Sequence, residues 1–332
     1  MSYTNGLDNP ELYFQCKIYT GNNGSQSITF DGSENMQADL VWIKKRNGAA
    51  DSSLMDSVRG VRKSLTTNNA EAEYTETAAL ASFDSNGLTF DGSGFDHVNT
   101  NNTFVAWNWK ESAVSGMDIV SFTGNDTART ISHSLSAVPN MMILKDRDAG
   151  NDWFIYHSGN TSSPETDYLK LNSTAATADL NTLWNDTAPT SSVFTIGTNG
   201  NINTTGNDYI AYLFSEKQGF SKFGSFVGNS NTNGTFIYTG FKPSLVIAKV
   251  ASDTNDWFMF DNKRSSFNAV DDSLFPNKAD AESTSHVIDF LSNGFKIRDS
   301  DGTVNSTGNT YIYMAFAEAP FVNSKGVPCN AR

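Results

Sequence analysis

Leu40-Val41-Trp42-Ile43-Lys44 returns as Met141-Met142-Ile143-Leu144-Lys145 and again as Leu245-Val246-Ile247-Ala248-Lys249. Each is a short unbroken apolar run that stops at a lysine. Such a run is too short for a helix that spans a core, and it fits a strand covered on both faces. Outward from these runs the same order recurs. Thr20-Gly21-Asn22, Thr123-Gly124-Asn125 and Val227-Gly228-Asn229 precede them, and Thr103–Trp107, Asp208–Tyr212 and Thr310–Phe316 close the blocks. Subtracting positions gives a period of about 103 residues. That is the length of a domain, whereas solenoid units run to roughly 20–50 residues.

The spacing predicts an all-β chain of three tandem antiparallel β-sandwich domains of jelly-roll or lectin-like type. Their expected bounds are an N-terminal lead at 1–15, repeats at 16–110, 118–217 and 223–321, and a tail at 322–332. Asn-Gly in Ser85-Asn86-Gly87 and Ser292-Asn293-Gly294 predicts hairpin turns, because both residues tolerate positive φ. Block two carries Ser191-Ser192-Val193 there instead. The closing run of each block reads as a central strand. Asn69–Leu80 and Thr174–Leu183 are the stretches with room for a turn of helix.

Composition narrows the function classes. The 332 residues carry a net charge of −13, with 12% aromatic and 18% charged residues. A nucleic-acid partner needs a basic face, and Lys44-Lys45-Arg46 is too small a cluster to supply one. No apolar run approaches the roughly 18 residues of a membrane span, so membrane insertion is not expected. The two cysteines, Cys16 and Cys329, are no disulfide framework, and free thiols assembled in a reducing cytoplasm are expected. The first residues lack a basic-then-apolar signal pattern.

The residues that could carry chemistry are few. His97, His133, His157 and His286 lie at no metal-ligand spacing, and no G-x-S-x-G nucleophile motif occurs. Glycoside hydrolysis needs two facing carboxyl groups, and no acidic triplet on one strand suggests them. No cofactor is expected. Asp299-Ser300-Asp301-Gly302 and Asp91–Asp96 put oxygen ligands in tight turns, as calcium prefers, which makes Asp299 and Asp301 weak calcium candidates. Asp152-Trp153 and Asp256-Trp257 recur at equivalent positions. An indole face beside an acid suits a sugar ring, so these four residues are candidate ligand or partner contacts. The competing reading places both indoles in the core.

The chain also resembles a family of marine-bacteriophage virion proteins of tail-fibre-like or concanavalin A-like lectin-type repeat character. The likeness rests on Leu40–Arg46, Asp56-Ser57-Val58-Arg59-Gly60, Phe83–Leu88, Tyr238–Pro243, Ile288–Lys296 and Thr310–Phe321. It implies a β-sandwich at the virion surface, on tail or capsid, assembled in the host cytoplasm. It brings no ligand residues with it. The expected function is a non-enzymatic structural protein of the tail or tail fibre that contacts host surface glycans. A capsid decoration or head-fibre protein is the alternative, and a polysaccharide depolymerase comes third for want of an acid pair. Expected partners are other virion proteins, host cell-surface polysaccharide and further copies of the chain. The short lead suits a compact docked subunit better than a long fibre.

Overall fold

A computed structural model describes residues 4, 6–92 and 94–330. The first three residues of the lead, Asn5, Ser93 in the Asp91–Asp96 turn and the last two residues of the tail lie outside the described set. The protein is almost entirely β, in antiparallel sheets. No helix among the described residues is long and apolar enough to cross a membrane.

Each block contributes one large sheet. In block one the strand order is Phe14–Thr20, Thr103–Trp109, Leu40–Lys45, Ser53–Asp56, Lys63–Thr66, Tyr74–Thr75. Block two repeats it as Met117–Thr123, Asp208–Phe214, Met141–Asp146, Phe154–His157, Asp167–Lys170, Ala178–Asp179. Block three keeps the first four, as Ser221–Val227, Thr310–Pro320, Phe241–Val250 and Trp257–Asp261. The closing strand is central in all three, between the first strand and the apolar run. Both faces of Leu40–Lys45 and Met141–Asp146 are buried throughout.

A small second sheet lies over one face. It is Gln26–Thr29, Gly87–Phe90, Leu80–Asp84 in block one and Phe236–Tyr238, Gly294–Ile297, Ile288–Leu291 in block three. Asp84 pairs with Gly87 and Leu291 with Gly294, so the hairpins fall where expected but turn at Ser85-Asn86 and Ser292-Asn293; neither asparagine takes the positive φ expected of it, and the glycines instead open the returning strands, Gly87 at φ 145°. Block two lacks the Asn-Gly signal, and its second sheet has only Arg129–Ser132 and Val193–Ile196. The short helix Asn181–Trp184 buries Leu183 and Trp184 there. Asn69–Leu80 holds turns and the strand Tyr74–Thr75 in place of a helix. Two further one-turn helices, Gly200–Asn203 and Gly302–Asn305, carried no periodic signal.

The Gly-Asn pair that marks each block is a backbone device. A side chain on Gly21, Gly124 or Gly228 would sit 2.1–2.3 Å from the carbonyl oxygen of Thr100, Thr204 or Ser306. The next residue's N–H then donates to a buried amide, Asn22 to Asn99, Asn125 to Asn203 and Asn229 to Asn305. Only glycine permits so close an approach.

Three apolar clusters fill the space between the large and small sheets, one per block. A fourth draws on all three blocks at once. At its centre the equivalent rings Trp109, Phe214 and Phe316 touch one another, with centroids 6.3, 5.6 and 5.9 Å apart. The blocks are therefore not a string of separately closed domains. Each has a core of its own and a share in a common one.

The contacts between blocks form a cycle. The lysines that end the apolar runs are fully buried, and each reaches a backbone carbonyl of a neighbouring block. Lys44 Nζ donates to Lys278 at 2.6 Å, Lys145 to Ala70 at 3.2 Å and Lys249 to Thr174 at 3.2 Å. Block one thus holds block three, block two holds block one, and block three holds block two. Burial pulls all three ammonium groups down to about 8.

A second contact follows the same cycle. Tyr212 donates to Asp56 at 2.7 Å and the Trp107 indole to Asp261 at 3.0 Å. Both acids are fully buried and paired with an arginine three residues on, at 2.5 Å. Those arginines extend into neighbouring-block ion networks, Arg59–Glu73–Arg147 and Arg264–Glu282–Arg46. Block two has uncharged residues at the two positions, His157 and Asn160, and Asn160 Oδ1 accepts from Thr177 Oγ1. His157 Nε2 lies 3.0 Å from the Tyr313 carbonyl and Nδ1 accepts from Gly159 N–H. Burial holds this imidazole down at about 4.

Candidate functional sites on the block flanks

The sequence-derived candidates fall in two places, and neither is a ligand face. Trp153 and Trp257 are 0% and 1% exposed. Their indoles donate to neighbouring-block carbonyls, Trp153 to Thr66 at 2.8 Å and Trp257 to Lys170 at 2.9 Å. A sugar cannot stack on rings that are already inside the protein, so the glycan reading of these residues is replaced by an inter-block one. Asp152 pairs with Lys170 at 2.7 Å and accepts from Asn172, while Asp256 pairs with Lys278 at 2.5 Å and accepts from Asn277. The acids organise the turn that aims each indole.

The calcium candidates are likewise occupied by their own turn. Asp301 caps the helix Gly302–Asn305 through Thr303 N–H at 2.7 Å. Asp299 accepts from Asp301 N–H and lies 3.3 Å from His286 Nδ1. Asp91 pairs with Arg62 and Asp96 with Lys45. Among the described residues no group of three His, Cys, Asp or Glu side chains is placed to hold a metal ion. Cys16 is buried and Cys329 half-buried, both as free thiols.

The structure directs attention instead to three clefts in corresponding places. Each lies where the chain enters a block, between a glutamate just before the first strand, the second residue of that strand, and the end of the outer edge strand. The glutamates are Glu11, Glu111 and Glu216, and the strand residues are Gln15, Asp118 and Lys222. One framework therefore presents an acid beside an amide, an acid beside an acid, and an acid beside an ammonium.

The block-one cleft, about 290 Å³, is walled on its far side by block three, through residues such as Ser244, Asn262 and Lys263. Gln15 spans it, accepting from Gly32 N–H and donating to the Glu11 and Glu34 carbonyls. Asp31 is paired with both Lys17 and Lys263 at 3.2 Å.

In block two, Glu111 Oε1 accepts from Ile119 N–H at 3.0 Å and Asp118 Oδ2 from Ser134 N–H at 2.5 Å. Burial, reinforced by a hydrogen bond to Asp118, lifts the Glu111 carboxyl to about 7. Burial opposes the Asp118 charge, yet the Glu111 bond and the Ser134 amide keep it below the usual carboxylate range.

In block three, Glu216 and Lys222 form a 2.7 Å ion pair, each about one-third exposed. Gln218 stands exposed beside them, Phe321 forms part of the wall, and Tyr238 stands at 59% exposure on the rim.

One family model, that of a domain of unknown function termed DUF7483, matches residues 9–320. The chain belongs to the DUF7483 family. A match running through all three blocks fits the shared core, because the DUF7483 unit is then the whole closed body. No curated protein matches the chain.

The Glu111–Asp118 pair has no sequence signature, since its members stand seven residues apart across a junction that reads as linker. What was visible is the recurrence of a glutamate at that point, as Glu111 and Glu216.

Proposed function

We propose that this protein is a non-enzymatic structural component of a bacteriophage particle, borne on the tail or tail fibre, and that it meets host surface glycans. The observation that carries the reading is the cyclic closure. Three equivalent blocks hold one another through the same lysine and through the closing strand, by the Trp107 and Tyr212 side chains in blocks one and two and by the Tyr313 carbonyl, one residue off that position, in block three. A single chain thereby builds the kind of closed ring that cyclic oligomers build from separate subunits. Such a body is stiff and suits a symmetric mount. The likeness to virion proteins supplies the particle, and the negative charge disfavours nucleic acid as partner.

Quantitative mass spectrometry of purified particles, together with a density map, tests the assignment. Copies in multiples of three or six at the tail are expected. Hundreds of copies per head would move the protein to capsid decoration. Absence from particles, or release of reducing ends from host polysaccharide, would overturn the proposal.

A further inference from the structure

The three blocks provide an internal comparison, because equivalent surface positions can be read against one another. On the outer edge strand, block one exposes Ser27 and Thr29 and block two exposes Thr130 and Ser132. Block three exposes Phe236 at 44% and Tyr238 at 59% on the same strand face. The residue before the marker glycine changes in step, from Thr20 and Thr123 to Val227, which is 53% exposed. The residue between the edge positions is a buried isoleucine in all three, Ile28, Ile131 and Ile237. Folding needs are therefore the same, and the aromatic side chains outside are extra to them.

Tyr238 also overhangs the block-three cleft, a space of about 170 Å³. Drug-sized ligands occupy roughly 300 Å³ or more, so this volume suits one ring of a ligand whose remainder lies outside. Around it stand a carboxylate, an ammonium and an amide, Glu216, Lys222 and Gln218. Glu216 and Lys222 neutralise each other, so the site favours an uncharged ligand rich in hydrogen-bonding groups. An aromatic face beside such groups matches a pyranose, which offers C–H groups on one face and hydroxyls around its edge.

We infer that the Tyr238 flank of block three is a binding site for one neutral sugar residue of a glycan. Tyr238 is the stacking platform, Glu216 and Gln218 engage hydroxyls, and Phe236 and Val227 continue the apolar surface along the saccharide. Blocks one and two, with serine and threonine at these positions, have no platform. The inference deepens the particle reading and rests on it for its biological partner.

Saturation-transfer NMR on the full chain tests it, with methyl β-glucopyranoside, methyl β-galactopyranoside, N-acetylglucosamine and rhamnose as probes. Transfer to ring protons of at least one probe is expected, with millimolar affinity. Tyr238→Ala should weaken it at least tenfold and Glu216→Gln several-fold, with an unchanged melting temperature. Ser132→Ala, at the block-two equivalent of Tyr238, should leave it unaltered. No transfer to any of the four probes, or transfer indifferent to Tyr238→Ala, would overturn the site. So would concentration-dependent self-association abolished by Phe236→Ala, because a second copy would then be the occupant. A chain present on particles but blind to sugars sinks the site alone, and sugar binding by a chain absent from particles sinks the particle reading alone.

Discussion

Asp261 and Arg264 are both fully buried and 2.5 Å apart, and Asp261 also accepts the Trp107 indole from another block. Block two has uncharged residues at the two positions, His157 facing the Tyr313 carbonyl and Asn160 accepting from Thr177 Oγ1, so the protein itself shows that neither charge is required there. Arg264→Asn alone leaves a buried carboxylate without its cation. Asp261→His alone leaves a buried guanidinium with Glu282, the Met259 carbonyl and the Trp107 ring but without its closest carboxylate. Removing one partner of a buried ion pair costs about 3–5 kcal/mol. The double variant imports the uncharged residues of block two and orphans the Trp107 indole, at a cost of about 1–3 kcal/mol. Equilibrium urea unfolding followed by tryptophan fluorescence is the assay. With a slope of about 3 kcal/mol/M, each single variant should lower the midpoint by roughly 1–1.7 M, and the double variant by less than either. A double loss equal to the sum of the singles would refute the coupling. Single losses below about 1 kcal/mol would refute the claim that these charges bind the blocks together.

Other outcomes follow from the same contacts. The His157 imidazole is held below its unfolded value, so the folded state binds fewer protons between pH 6.5 and 4. Its stabilisation is complete above the unfolded value and is lost as pH falls through that window, by up to about 3 kcal/mol. His157→Gln should flatten this part of the pH–stability curve. Glu111 acts oppositely: its raised value makes stability decline as pH rises from about 4.5 to about 7, and Glu111→Gln should remove that decline in thermal melts. The buried lysines, near 8, predict that stability grows between pH 8 and 9.5 as their protons become dispensable, with a shallower rise in Lys145→Met. Phe316→Ala opens the common core and should cost about 3–5 kcal/mol, in one cooperative transition across all three blocks.

The strands were legible because alternation and unbroken apolar runs survive in each block, and Asn-Gly located two hairpins. Block two lost that dipeptide, and with it the third strand of its outer sheet. The relation between blocks was not legible. A lysine after an apolar run reads as a strand end emerging into solvent, whereas Lys44, Lys145 and Lys249 end on carbonyls 75 or more residues away. Trp153 and Trp257 illustrate the same limit, since an Asp-Trp pair looks identical whether its ring faces a sugar or a neighbouring block. Tyr238 was hidden for the opposite reason. An aromatic in a strand is usually core, and only its register, one step off Ile237, turns it outward.

Ring closure also constrains how the chain is made. Lys44 emerges from the ribosome long before Lys278, its acceptor 234 residues downstream. Until then the earliest-made third carries an ammonium group and one of the three central rings with nothing to receive them. Joining ends so distant in sequence is slow and leaves apolar surface waiting. Translation arrest, or a frameshift late in the gene, therefore leaves a product without its keystone, prone to clump. Duplicating or deleting a single third would break the circle, so the three copies are free to diverge in what they display outside and bound together in what they keep within.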